Sequence, residues 1–388
     1  MIASLSSISC VDVNNPDDYA YEWVDYGLIN GNAPGNTLVA FGNRIIVGTD
    51  NGIQYLNVGG SNAAWTASNL TGVKITGIIL HPLVPNAMIA TADPNAPSST
   101  ASSKFPVYLS SDGGATWTGV TQGLVPQGST QLPSVASIDY KFIDNSLMGQ
   151  QSAHFYISLN GDAIARSVDN GTTWTIIKPT SSSLTNPAGV SCYIGIVQTF
   201  YSYLYQGCDL GNDQTYLERI DLNSDTVNPL PNGTRFITNA TIGAKPISGY
   251  RISFFTQGLS YALAKGGILA IIETDWRWTY QYPPSAGNDG LNTVMKAFWI
   301  DPTNLNHLVF GGYESGNSTN FSLYETFDHG KTVKFIPPPS FLGLNAPKIV
   351  NSYEAGISGR NLILLVTGTD AQNTTKTRVF SRNQVDPS

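Results

Sequence analysis

The feature that most constrains this chain is a repeat. Residues 110–117 read SSDGGATW and residues 167–174 read SVDNGTTW, so the pattern S-x-D-x-G-x-T-W occurs twice. Its acids, Asp112 and Asp169, lie 57 residues apart. The register continues through Asn57 upstream and through Asp221, Asp275 and Asp328 downstream, in steps of 55, 57, 52, 54 and 53 residues. A step this regular marks a chain that copies one supersecondary unit along its length.

Each unit shares an internal grammar. An apolar run opens it (TGIILHP, CYIGIVQTF, VMKAFWIDP), a second short run follows (AMIATAD, SYLYQGC, HLVFGGY), a third leads into the acidic turn, and a fourth leaves it (WTGVT, WTIIK, VKFIP). Four strand-length runs bounded by turn residues describe one blade of a β-propeller. No unit can bury its sheet faces alone, whereas packing units in a ring buries both. Units fall at residues 36–70, 72–121, 130–180, 188–230, 248–284, 292–338 and 345–388. The last shows fewer runs (KIVNSYEAG, NLILLVTGTD, TRVFSRN), and the N-terminal YAYEWVDYGL can supply the missing strand. The expectation is an all-β chain and one domain. Residues 1–35 form an arm with a ring-closing strand, and 36–388 form a propeller of seven four-stranded blades, with six or eight as alternatives.

The two complete turns, Ser110, Asp112, Gly114, Thr116, Trp117 and Ser167, Asp169, Gly171, Thr173, Trp174, resemble the Asp-box of sialidase-like (BNR) propellers. TFDHGKTV keeps Asp328, Gly330 and Thr332 but ends in Val333 where the pattern has Trp. HPLVPN and DPTNLN resemble the D-P-x-x-P-N turn of the same propellers, xyloglucanase-like and sortilin-like ones included. The resemblance spans roughly residues 36 to 340. It implies that the acids tie hairpin turns at the periphery, away from a central pocket. Elementary chemistry agrees: an Asp carboxylate accepts backbone N–H groups of a tight turn, Gly supplies a positive φ, and Trp packs on the adjoining sheet.

Enzymatic patterns of that superfamily are harder to find. A sialidase-like site implies three arginines and a Tyr–Glu pair. Arg44 sits in an ordinary apolar strand, FGNRIIVG, and Arg166, Arg219, Arg235, Arg251, Arg277, Arg360, Arg378 and Arg382 form no recognisable triad. A xyloglucanase-like hydrolase needs two carboxylates facing one cleft; Asp139, Asp144, Asp209, Glu273 and Asp301 lie near strand ends, but nothing marks a pair. His81, His154, His307 and His329 lack ligand spacing, so no metal and no cofactor is indicated. Cys192 and Cys208 flank two runs that can form a hairpin, leaving a disulfide and two buried thiols as open readings. Trp276, Trp278 and Tyr280 alternate along ETDWRWTYQYPP, either as a sugar-stacking platform or as packing between blades.

Charge narrows the partners. A net charge of −7 without a basic run argues against nucleic acid. The longest apolar runs are too short to cross a bilayer. MIASLSSISCVDV lacks a basic n-region and a continuous apolar h-region, yet only 12 % of residues are charged. That combination suggests an extracellular or virion-surface setting. The expected function is therefore a non-catalytic structural and binding module for protein or glycan partners, able to assemble into a larger complex. A secreted glycoside hydrolase with an unidentified carboxylate pair is the alternative.

Overall fold

Runs such as RIIVGT (Arg44–Thr49), KITGIIL (Lys74–Leu80) and NLILLVTGT (Asn361–Thr369) are rich in β-branched and aliphatic residues, and each forms a strand. They are apolar at most positions rather than every second one, as a strand needs when both sheet faces are covered. The computed structural model describes residues 20–59, 63–125, 131–145, 150–159, 161–179, 191–198, 202–211, 214–222, 234–237, 247–252, 259–264, 267–272, 275–281, 293–301, 304, 306–314, 321–328, 330–355 and 361–385. Among them every regular element is a strand.

Consecutive strands pair in chain order into four-stranded sheets over 35–71, 74–120, 135–178, 191–237, 247–281 and 293–335. A further sheet is composite. Asn345–Ala355, Asn361–Thr369 and Thr375–Val385 pair in order, and Ala20–Leu28 adds antiparallel to Thr375–Val385 as its fourth strand. The first strand of each sheet touches the first strand of the next, and Asn345–Ala355 touches Gly35–Phe41, so the series closes on itself. The architecture is a single β-propeller of four-stranded blades.

The hydrophobic core is a set of layers between neighbouring sheets. Ile46 and Ile53 meet Ile75, Met88 and Tyr108; Ile89 and Val107 meet Phe155 and Ile157; Tyr156 and Ile164 meet Ile194 and Leu204. Ile46, Ile75, Phe155 and Tyr156 are each 0 % exposed. At about 1.5–3 kcal/mol per fully buried large apolar side chain, these layers are the principal attraction between blades.

A bulge recurs near the start of the first strand in most sheets. Register shifts fall between Gly35/Thr37, Ile75/Gly77, Val135/Ser137, Ile247/Gly249, Met295/Ala297 and Ile349/Asn351. Polar side chains at or near that level join one inner edge to the next. Asn36 Nδ2 donates to Ile75 O at 3.0 Å, Asn351 Nδ2 donates to Asn36 O at 3.1 Å, and Ile194 N–H donates to Ser137 Oγ at 3.0 Å.

The N-terminal strand is held by a buried polar clasp. Arg382 places Nη2 against both oxygens of Glu325, at 2.9 and 3.1 Å, and its guanidinium lies 3.4 Å from the centre of the Tyr21 ring. His307 sits between Glu325 Oε1 at 2.9 Å and Asp301 Oδ2 at 3.0 Å, stacked on Phe327, and the Tyr21 hydroxyl lies 3.1 Å from His307 Nε2. Burial pushes Glu325 up, but the bonds to His307 and the charge of Arg382 outweigh it and hold the carboxyl below its ordinary range. The clasp joins the 293–335 sheet to the outer two strands of the composite sheet. Arg382→Met should cost about 3 kcal/mol by leaving the buried Glu325 without its guanidinium partner, read as a lower urea midpoint. A midpoint unchanged from wild type would show that the clasp does not hold the ring.

Candidate functional site

In each sheet the first strand runs from what we call the starting end to the far end, and the third strand runs parallel to it. The acidic turns, which follow the third strands, therefore cluster at the far end. In the first, Asp112 Oδ1 accepts the N–H groups of Ala115 at 3.0 Å and Thr116 at 2.9 Å, while Thr116 Oγ1 donates to Oδ2 at 2.7 Å. Ser110 Oγ donates to Asp112 Oδ1 and accepts the Gly114 N–H, each at 2.9 Å, and Trp117 Nε1 donates to Gly114 O at 2.9 Å. Ser167, Asp169, Gly171, Thr173 and Trp174 repeat the pattern. Thr326, Asp328, Gly330 and Thr332 repeat it without the indole, Thr326 taking the place of serine.

Gly114 and Gly171 adopt φ of 85° and 87°, and a Cβ on Gly171 would meet Ile89 and Leu109 at 2.9 Å. Partial burial pushes Asp112, Asp169 and Asp328 up, but the turn hydrogen bonds outweigh it and hold all three below the ordinary carboxylate range.

These turns are also anchored to the preceding sheet. Arg44 Nη1 donates to Asp112 O at 3.1 Å and Gly113 O at 2.7 Å. Asn69 pairs with both peptide groups of Trp117, and His81 Nε2 lies 2.9 Å from Asn170 Oδ1. His81 Nδ1 accepts the N–H groups of Leu83 and Val84, so the hydrogen resides on Nε2 and that nitrogen donates to Asn170. The acidic register does not hold everywhere. Asp221 ends the strand Gln214–Asp221 in pairing with Tyr203, and Asp275 opens Asp275–Gln281 in pairing with Ile272. Neither has the glycine two residues on that the tied turn uses. Asn57 accepts from Arg44 Nε at 2.8 Å.

The remaining described candidates lie in different parts of the ring. Asp301 lies in the clasp, and Asp139 lies on the innermost strand Val135–Asn145. Asp144 and Asp209 are placed by backbone only, and Glu273 and His329 lie outside the described residues. Cys192 and Cys208 oppose each other across Ser191–Gln198 and Ser202–Gly211, with their sulfurs bonded. Trp276, Trp278 and Tyr280 lie on the outermost strand of the 247–281 sheet, with a register shift between Trp278 and Tyr280; their side chains lie outside the described residues.

Sequence reasoning missed two buried acids that do approach each other. Lys178 Nζ holds Asp162 Oδ2 at 2.9 Å, Glu218 Oε2 at 2.8 Å and Gln206 Oε1 at 2.8 Å, tying the 135–178 and 191–237 sheets. Both carboxylates are about 1 % exposed and face one ammonium, so they present no cleft to a substrate. No local motif marks them, because Asp162 and Glu218 come from neighbouring blades and meet only at Lys178. Among the described residues no cluster suits a metal ion. A cleft of about 420 Å³ lies beside the loop at 94–105, but Asn95 is tied to Leu132 O and Lys104 to Ser99 O.

The axis holds the remaining chemistry. Lys348 Nζ lies 5.4 Å from the Tyr313 ring centre, and Lys296 Nζ, in the bulge between Met295 and Ala297, lies 5.2 Å from that of Tyr193. Lys296 and Tyr193 belong to sheets separated by the 247–281 sheet, so this contact spans the axis. Deeper in, burial raises the Tyr353 phenol to about 12, with Tyr140 and Glu354 adding to the effect. Tyr140 and Tyr353 also come from non-neighbouring sheets. Asp139 accepts N–H groups from Ile196 and Tyr140, each at 2.8 Å. The residue keeps partial exposure, but its carboxyl lies deep in the ring, and burial outweighs both bonds to raise it to about 7.

No protein-family model matches the chain, and no curated protein does. Solved structures do resemble it. YCF48 bound to D1 peptide has a TM-score of 0.54 at 13 % identity, covering 92 % of this chain and 96 % of that one. The Myceliophteria thermophila Cps50 (Swd1) β-propeller domain has a TM-score of 0.56 at 11 % identity, covering 95 % and 100 %. An ancestral GH74 enzyme has a TM-score of 0.52 at 15 % identity, covering 92 % of this chain, which spans 47 % of that one. At such identities the likeness is one of fold, that of the β-propeller.

Two outcomes follow. Asp169→Ala removes three accepted hydrogen bonds from a partly exposed turn and should lower unfolding free energy by about 1–2 kcal/mol in urea titration; no loss would deny the turn its structural role. Asp139 ionises in the unfolded chain at its ordinary value near 3.8 but keeps its proton to about 7 when folded. It therefore costs stability progressively as pH rises between those values. In Asp139→Asn that component vanishes, so the gap in stability between variant and wild type should shift in the variant's favour from about pH 4 to 7. A gap independent of pH would refute the raised value.

Proposed function

We propose that this protein is a non-catalytic binding module, an Asp-box propeller of seven blades that receives a protein partner at the starting end of its axis. The observation that carries the reading is the gathering of Tyr193, Lys296, Tyr313 and Lys348 at the starting end, where the Lys296–Tyr193 contact spans the axis. That arrangement offers aromatic faces and the Lys348 ammonium to a ligand. The buried carboxylates Asp162, Glu218, Asp301 and Glu325 are each committed to a cation or to His307 inside the protein.

The hydrogen bonding of the three acidic turns supports Asp-box membership. The four-stranded sheets, with Ala20–Leu28 completing the last, support seven blades. The bonded Cys192–Cys208 pair supports an oxidising, extracellular or virion-surface setting. The similar fold of YCF48, solved bound to D1 peptide, is consistent with a peptide partner here.

Peptide display against the purified protein, run beside a reducing-sugar assay on mixed polysaccharides, tests the proposal. The expected result is enrichment of peptides that Tyr193→Ala and Tyr313→Ala each weaken by about tenfold, as for aromatic contacts at the centre of an interface, and no sugar release. Sugar release that disappears in Asp162→Asn or Glu218→Gln would replace this reading with a hydrolase.

A further inference from the structure

Resting on the reading above, we infer that the starting-end mouth recognises a carboxylate group of a peptide, with Lys348 as its principal contact. Lys348 lies near the start of Asn345–Ala355, opposite Thr367, and Tyr313 lies opposite Val294, near the start of Thr293–Ile300. Both therefore sit at the mouth, with Lys296 and Tyr193 close behind. Lys348 is partly buried, and among the described residues no carboxylate pairs with it. A half-desolvated ammonium held over a ring face retains its N–H donors for a ligand.

The surrounding groups have the same polarity. Burial, then the neighbouring Tyr193 phenol, raises Tyr313, so its hydroxyl stays neutral and can donate. Among the described side chains, the acids at the axis do not compete: Asp139 lies deeper and is turned to the Ile196 and Tyr140 N–H groups, and Glu354 also lies deeper along its strand. The mouth thus presents ammonium and phenol donors around aromatic faces, which suits an anionic acceptor flanked by apolar or aromatic groups.

Net charge selects among anions. At −7 the chain repels a polyanion over distances of a Debye length or more. A single carboxylate is repelled far less and is caught at short range by a charge-assisted bond. The chemistry is the same whether that carboxylate is an Asp or Glu side chain or the end of a chain.

Arrays of random hexapeptides, in free-acid and amidated forms, probe the full-length protein and its Lys348→Met and Lys348→Arg variants, with melting curves to verify folding. For wild type, bound peptides should be enriched in Asp, Glu or a free terminus, and amidation separates the two sources. Lys348→Met should lose about tenfold in affinity for those peptides while keeping residual binding to aromatic ones, and Lys348→Arg should restore most of the loss. Peptide binding without carboxylate preference, preference that persists in Lys348→Met, or stronger binding to phosphopeptides would overturn the inference while leaving a peptide-binding propeller. Absence of any peptide binding would overturn the binding-module reading itself.

Discussion

Everything in this molecule depends on what happens at the innermost edge of each sheet. An edge strand exposes N–H and C=O groups that pair with nothing unless another group reaches them, and unpaired backbone is both costly and aggregation-prone. Closing the sheets into a ring faces those edges toward one another but too far apart for a continuous ladder. The chain bridges the gap with short polar side chains: Asn36 to Ile75 O, Ser137 to Ile194 N–H, Asp139 to Ile196 N–H, Asn351 to Asn36 O. The recurring bulges lie where these bridges form. Inter-sheet hydrophobic layers supply most of the attraction, and the bridges fix the angle at which it is satisfied.

Once the edges are joined, the two ends of the axis become chemically unequal. Parallel first and third strands send every acidic turn to the far end, where Asp112, Asp169 and Asp328 accept most of their hydrogen bonds from their own turns. Arg44, Asn69 and His81 then lock the turns of the 74–120 and 135–178 sheets to the sheet before. The clasp of Tyr21, Asp301, His307, Glu325 and Arg382 sits at the same end. Order there is over-determined, since local turn bonds and inter-blade ties impose one geometry. The starting end carries the Lys348–Tyr313 and Lys296–Tyr193 contacts instead.

How much could be read from the sequence follows from how local each interaction is. SSDGGATW is legible because donors, acceptor and positive-φ glycine all lie within eight residues. TFDHGKTV shows which parts matter: Thr326 supplies the hydroxyl in place of serine, and the exposed Val333 stands where tryptophan packs elsewhere, yet the turn keeps its bonds. The register is misleading at Asp275, where a tight hairpin pairs the acid directly with Ile272 and leaves no room for a tied turn. The clasp was beyond reach because Tyr21 and Arg382 stand at opposite ends of the chain and meet only after closure. Lys296 over Tyr193 was hidden for the same reason, since a contact across an axis has no sequence period.

The same distinction bears on catalysis. A hydrolytic pair needs one acid protonated and one ionised, both facing a cleft that admits substrate. Among the described residues, the acids with altered ionisation are separated by their structural duties. The tied-turn carboxylates are held ionised at the far end, Glu325 is held ionised inside the clasp, and Asp139 is held protonated toward neutrality while capping two backbone N–H groups. Perturbed ionisation usually marks function, but each shift in this ring has a sufficient structural cause in a named hydrogen bond or burial. Among the described residues around the mouth, the ammonium of Lys348 is held over the Tyr313 ring with no carboxylate bound to it, and the proposed recognition rests on that group.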